Sequence, residues 1–285
     1  MIHELFMTSR PISWVNTAFP FASAYLLTTG VIDWLWIVGT IFFLIPYNLA
    51  MYGINDVFDY ESDLLNPRKG GAEGALVERS RHRGILIACL VATVPFLVVL
   101  GIAGSWEANL VLLVSMLAVL AYSAPKLRFK ERPFVDSLTS STHFVSPAVY
   151  GMVLAGAQFN APLLALLLAF FLWGMASHAF GAVQDIVPDR AASLGSIGTV
   201  LGAKWTVRGA ALAYLAAGVL LLATEWPGPL AGLLALPYVA NVLPYANLND
   251  VNSERAHTGW VRFLWLNYVT GFFITMILIW YAFVR

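Results

Sequence analysis

Nine apolar runs separated by polar breaks dominate the sequence. They lie at roughly 12–30, 34–54, 84–104, 108–124, 137–156, 162–183, 207–224, 229–246 and 261–284. At 1.5 Å per residue, a helix needs about 20 apolar residues to cross the hydrocarbon of a bilayer. Only 11% of the 285 residues are charged and 59% are apolar, whereas a soluble domain carries roughly 25% charge. The expected fold is an all-α polytopic membrane protein with nine transmembrane helices, in a single domain spanning 1–285.

The breaks alternate in character. Those after runs one, three, five and seven are short turns, and those after runs two, four, six and eight are longer and polar. Arg10 and the four long loops hold fifteen of the sixteen Lys and Arg residues, leaving only Arg285 on the other side. The positive-inside rule then places the N-terminus and the long loops in the cytoplasm and the C-terminus outside, across the plasma membrane. Sixteen basic and sixteen acidic residues balance, so there is no footprint for nucleic acid. Cys89 is the single cysteine and has no internal disulfide partner. The polar segment 1–10 leads straight into the first run, so no cleavable signal peptide is expected.

Thirteen of the sixteen acids share the cytoplasmic side, and two groups of them are patterned. In the segment closing run two, Asn55, Asp59 and Asp63 are spaced i, i+4, i+8, which puts them on one helix face, with Asp56 within a turn of that stripe. In the segment closing run six, Asp185 and Asp189 are again i, i+4, with Pro188 positioned to kink the helix. Acids at a helix C-terminus oppose the macrodipole, and like charges at i, i+4 repel, so neither group is explained by helix stability. Converging carboxylates of this kind suit a hard cation such as Mg²⁺, which takes one or two carboxylates plus substrate phosphates. After run four, Lys126 follows Tyr122 at a one-turn spacing, where it can meet a phosphate as a point charge. Two acidic groups, a cationic loop and an apolar interior describe a site for an isoprenoid diphosphate.

These residues resemble the UbiA superfamily of intramembrane prenyltransferases. Asn55, Asp59 and Asp63 match its N-x-x-x-D-x-x-x-D motif after the second helix, and Asp185 and Asp189 match its D-x-x-x-D motif after the sixth. The Tyr122-x-x-x-Lys126 pair also matches, as does Arg10-Pro11 with Asn16 a turn and a half further on. Within the superfamily the wording is most similar to the lycopene elongases of C50 carotenoid synthesis, carried by 9–16, 53–59 and Asn66-Pro67-Arg68-Lys69-Gly70-Gly71. Run two contains no cation, with Asn48 its most polar interior residue, which suits an acceptor lacking a carboxylate.

The resemblance implies nine helices around a central cavity. It also implies Mg-dependent transfer from dimethylallyl diphosphate to lycopene, giving C45 and C50 carotenoids with or without hydration. Two Mg²⁺ ions are expected, one per acidic group: unit charges 4 Å apart interact by about 4 kcal/mol at an effective dielectric of 20, so a diphosphate cannot settle among carboxylates alone. Metal ligands would be Asn55, Asp59, Asp63, Asp185 and Asp189. Diphosphate contacts would come from Asn16, Asn55, Asp56 and Lys126, then Arg68, Lys69 and Arg190, with Tyr122 also serving the leaving group. His178 and His143 are candidates for the cavity lining. Alternative readings are a quinone-precursor or lipid acceptor for the same chemistry, and a secondary transporter.

Overall fold

The computed structural model describes residues 2–64 and 76–284. Among these the chain is all-helical, and it divides into two compact units. The first combines Met1–Phe129 with Thr142–Ala157, and the second combines Lys130–Ser141 with Gln158–Arg285.

The first unit contains helices α1 (Ile2–Thr8), α2 (Val15–Thr29), α3 (Trp34–Leu44), α4 (Pro46–Phe58), α5 (Tyr60–Asp63), α6 (Arg79–Ala103) and α7 (Trp106–Ser123), with the later part of α8 (Val135–Leu154). Its core is aromatic: Phe21, Phe42, Phe43, Tyr47 and Tyr150 are fully buried and interlock at centroid separations of 4.9–6.0 Å. Gly39 makes room for this cluster, since a Cβ there would lie 2.1 Å from the Phe21 ring.

Run two is two helices rather than one. Pro46 has no N–H to donate, and its ring crowds the carbonyl four residues back, so the chain breaks between Leu44 and Pro46. Carbonyls freed at a break in lipid must find other donors. Thr17 Oγ1 donates to Phe43 O at 2.7 Å, and Asn48 Nδ2 donates to Phe43 O at 2.8 Å and Leu44 O at 3.1 Å. Asn48, at full burial, is the fastening of this break.

The second unit contains the first turns of α8, then α9 (Ala161–Val183), α10 (Ile186–Ala191), α11 (Ile197–Leu221), α12 (Ala235–Val242) and α13 (His257–Val284). Ala176, Ala179, Ala203, Ala210 and Ala217 are buried along α9 and α11, and small residues of this kind let helix backbones approach closely in a membrane. The run at 229–246 is not one α-helix. Pro229, Pro237 and Pro244 deny it donors, and it forms 3-10 turns at Gly228–Leu234 and Leu243–Tyr245 around the eight-residue α12.

Among the described residues five stretches are long and apolar enough to cross a membrane: Trp34–Phe58, Arg79–Ala103, Trp106–Ser123, Ala161–Val183 and Asp250–Val284. The remaining runs are helical but shorter, broken or more polar. The chain is a multi-pass membrane protein.

Candidate functional site

In the first unit the acid stripe survives a change of helix. α4 stops at Phe58 and α5 begins at Tyr60. Asp59 N still donates to Asn55 O at 2.9 Å and Asp63 N to Asp59 O at 2.8 Å, so the turn-by-turn spacing is kept. Asp59 and Asp63 are 2% and 7% exposed, a depth at which carboxylates are almost always paired or bound to metal. Asn55 Nδ2 donates to Asp59 Oδ2 and, at 2.9 Å, to Ser123 Oγ, which fixes the amide beside the carboxylate. Arg128 Nη2 stands 3.6 Å from Asp59 Oδ1, while its Nη1 donates to Phe58 O at 3.3 Å. Sequence reasoning counted Arg128 only as a loop cation. Its place beside Asp59 depends on the turn after α7, which spacing alone does not disclose.

Asp56 behaves differently from its neighbours on the stripe. It is buried, and its Oδ1 accepts from Arg10 Nη2 at 2.8 Å. Arg10, with φ 50, also covers the Tyr52 ring at 4.2 Å. Asn16 lies half-buried in the first turn of α2.

Tyr122 and Lys126 are not one helical turn apart. Pro125 forces the residue before it out of the helical region, so α7 ends at Ser123 and Ala124 takes ψ 141. Lys126 follows in a left-handed conformation, φ 73, and is exposed. Tyr122 remains on the helix and meets His143 edge-on at 5.3 Å. Arg68 and Lys69 fall outside the described residues.

In the second unit the break near Pro188 comes earlier than the proline itself. A proline at position i withholds the donor that the carbonyl at i−4 would use, and here that carbonyl is Gln184's. α9 ends at Val183, Asp185 takes φ −95 and ψ −3, and α10 starts at Ile186. Asp189 N donates to Asp185 O at 2.8 Å, so this pair keeps its one-turn spacing at half-burial. Arg190 is engaged by Asp250 and the Thr199 carbonyl. His178 Nδ1 lies 3.1 Å from Ser137 Oγ. Next to that serine, the buried Asp136 accepts from Ser137 N at 2.6 Å and Ile197 N at 2.7 Å.

Among the described residues no three His, Cys, Asp or Glu side chains come together as a metal centre. Each unit instead offers two carboxylates one turn apart. That donor set is all oxygen, too small for a protein cage, and matches the way Mg²⁺ binds through one or two carboxylates and completes its shell with phosphate oxygens and water.

The UbiA prenyltransferase family model matches residues 17–277. A C(50) beta-cyclic carotenoids biosynthesis protein of Dietzia sp. (strain CQ4) is 57% identical over 281 residues, which is 98% of this chain and 65% of that protein. A lycopene elongase/hydratase of Corynebacterium glutamicum is 54% identical over 278 residues, covering 98% of this chain and 97% of the relative. The solved UbiA homolog from Archaeoglobus fulgidus bound to DMAPP and Mg²⁺ superposes with a TM-score of 0.63 at 17% identity, over 93% of this chain and 98% of that one. At that identity the likeness speaks for the fold.

Proposed function

Because the chain belongs to the UbiA prenyltransferase family, we propose that it transfers the dimethylallyl group of dimethylallyl diphosphate to lycopene, Mg²⁺-dependently, and releases diphosphate. The products are C45 and then C50 carotenoids. The observation that carries the choice of acceptor is the 54% identity to a lycopene elongase/hydratase along nearly the whole of both chains. The donor and metal are supported by the Asn55–Asp59–Asp63 stripe with its two buried carboxylates, an oxygen set that suits a hard cation taking phosphate.

Asn55, Asp59 and Asp63 would hold one Mg²⁺, and Asp185 and Asp189 a second. When bound, the metal supplies positive charge to the departing diphosphate. Lys126 adds a donor to the leaving oxygens, where negative charge develops, and Tyr122 adds a hydroxyl. Asn16 is a further donor candidate at the same charged end. Arg128, 3.6 Å from Asp59, offsets part of the negative charge that this site gathers. Ionisation breaks the C–O bond and leaves an allylic cation; the acceptor double bond attacks it, and the resulting tertiary cation loses a proton or takes up water. His178 and His143 are candidate residues facing that cation. The N-terminus and acid-bearing loops are proposed to be cytoplasmic and the C-terminus outside the plasma membrane, on the strength of the cation asymmetry.

The test is to incubate membranes containing the protein with lycopene, dimethylallyl diphosphate and Mg²⁺ and weigh the carotenoids. A gain of one or two five-carbon units is expected. Unchanged lycopene beside a prenylated quinone precursor or lipid would overturn the choice of acceptor.

A further inference from the structure

The second acid pair spans the start of a helix too short to hold itself, with Asp185 capping it and Asp189 inside it. α10 has six residues and is detached from α9 by the turn at Gln184–Asp185, and isolated helices of that length do not persist without tertiary anchoring. Ile186 seats its first turn in the core of the second unit, and its polar end is tied down by Arg190, the residue after Asp189. Arg190 Nη1 donates to Asp250 Oδ2 at 2.7 Å, and Nη2 and Nε donate to Thr199 O at 2.7 and 3.2 Å. The planar fork thus grips two segments at once, which a point charge cannot do.

Asp250 is held as firmly from behind. Gly202 takes φ 75 and ψ 164 inside α11, and this break presents Ala203 N to Asp250 Oδ1 at 2.7 Å. A Cβ at position 202 would stand 2.9 Å from that oxygen, so the carboxylate occupies the space that only a glycine leaves. One carboxylate therefore joins the broken α11, the loop after run eight and the helix carrying Asp189. Both partners are partly exposed, at 45% and 36%, so the charge attraction itself is weak. What the arrangement provides is direction.

We propose that Asp250, acting through Arg190, is a positioning residue for the metal-binding pair Asp185 and Asp189, and that Arg190 serves the acid pair as a strut rather than the diphosphate as a ligand. The inference rests on the reading of that pair as a metal site. Residues that orient metal ligands typically alter affinity by about 10–100-fold when removed, and a strut one residue from the ligand belongs at the low end.

The experiment compares Asp250→Asn, which keeps an acceptor for Ala203 N, with Arg190→Ala, Arg190→Lys and the double variant Asp250→Asn/Arg190→Ala. The readouts are the Mg²⁺ concentration for half-maximal rate, kcat and donor KM at saturating Mg²⁺, and Mn²⁺ binding in the presence of inorganic diphosphate by electron paramagnetic resonance. Asp250→Asn and Arg190→Ala are expected to raise the metal requirement equally, by about tenfold. The double variant should be no worse, and Arg190→Lys should fall between. For Asp250→Asn, kcat at saturating metal should change much less than the metal requirement. If Asp250→Asn leaves the metal requirement unchanged while Arg190→Ala raises the donor KM, Arg190 is a diphosphate ligand and the strut is wrong. If Asp185→Ala and Asp189→Ala leave Mn²⁺ binding intact, the metal reading of the pair fails first, and the strut falls with it.

Discussion

Asp56, in the last turn of α4, and Asp59, which caps that helix, lie about one turn apart and do opposite work. Asp56 neutralises Arg10 in a buried pair, so Asp56→Ala strands a guanidinium that is only 17% exposed. Breaking such pairs costs about 3 kcal/mol, and thermal unfolding in detergent should show it, with turnover per folded molecule largely retained. Asp59→Ala should instead keep the fold and lower turnover by about 10³-fold, because metal at a phosphoryl oxygen is worth several kcal/mol in the transition state. Loss of turnover at full stability in Asp56→Ala would invert these roles. On the proposed mechanism Lys126→Ala removes one donor to the leaving group, and a loss of about 10²–10³ in rate is expected. The ratio of C45 to C50 products and their hydration should stay as in the parent protein. A changed hydration ratio in product mass spectra would move Lys126 from the charged end to the cation.

Breaks, more than helices, distinguish the elements of this chain. Hydropathy located the runs because the bilayer demands length and apolarity, but it averages over composition and does not register a missing N–H. That is why 34–54 reads as one span although Pro46 divides it, and why 229–246 reads as a helix although its prolines wind it into 3-10 turns. The spacing of Asn55, Asp59 and Asp63 was legible because it is local. The partners of the site were not, since Arg10 with Asp56, Asn55 with Ser123 and Arg190 with Asp250 are 46, 68 and 60 residues apart. Gly202 was illegible for the same reason: a glycine in an apolar run is ordinary until Asp250 is placed against it. Asn48 offers the test at this scale. Asn48→Leu keeps a branched side chain and suits apolar surroundings, yet removes the donor that serves the Leu44 carbonyl and one of two serving Phe43. At about 1–3 kcal/mol for a buried group left unsatisfied, the variant should unfold well below the parent in detergent. A midpoint equal to the parent's would show that the break needs no fastening.

For the whole molecule, the decisive property is that neither acid pair, Asp59 with Asp63 or Asp185 with Asp189, makes up a metal's coordination shell by itself. Among the described residues no three His, Cys, Asp or Glu side chains come together as a metal centre, whereas Mg²⁺ demands six oxygens and gives up its water reluctantly. The missing ligands are then the diphosphate's own oxygens, and metal and donor should bind as one event. A ligand stabilises the folded state by RT ln(1 + [L]/Kd), about 2.7 kcal/mol at a hundredfold excess over Kd. Thermal unfolding should therefore respond little to millimolar Mg²⁺ alone. It should respond little to inorganic diphosphate alone as well, since anion and carboxylates repel. Together they should raise the midpoint by several degrees, and EDTA should reverse the rise without unfolding the protein. Asp59→Ala and Asp189→Ala should each reduce the joint effect while leaving the responses to the separate ligands as small as before. If Mg²⁺ alone gave the full rise, the acids would already form a complete metal cage, and the diphosphate would be a guest of the site rather than part of it.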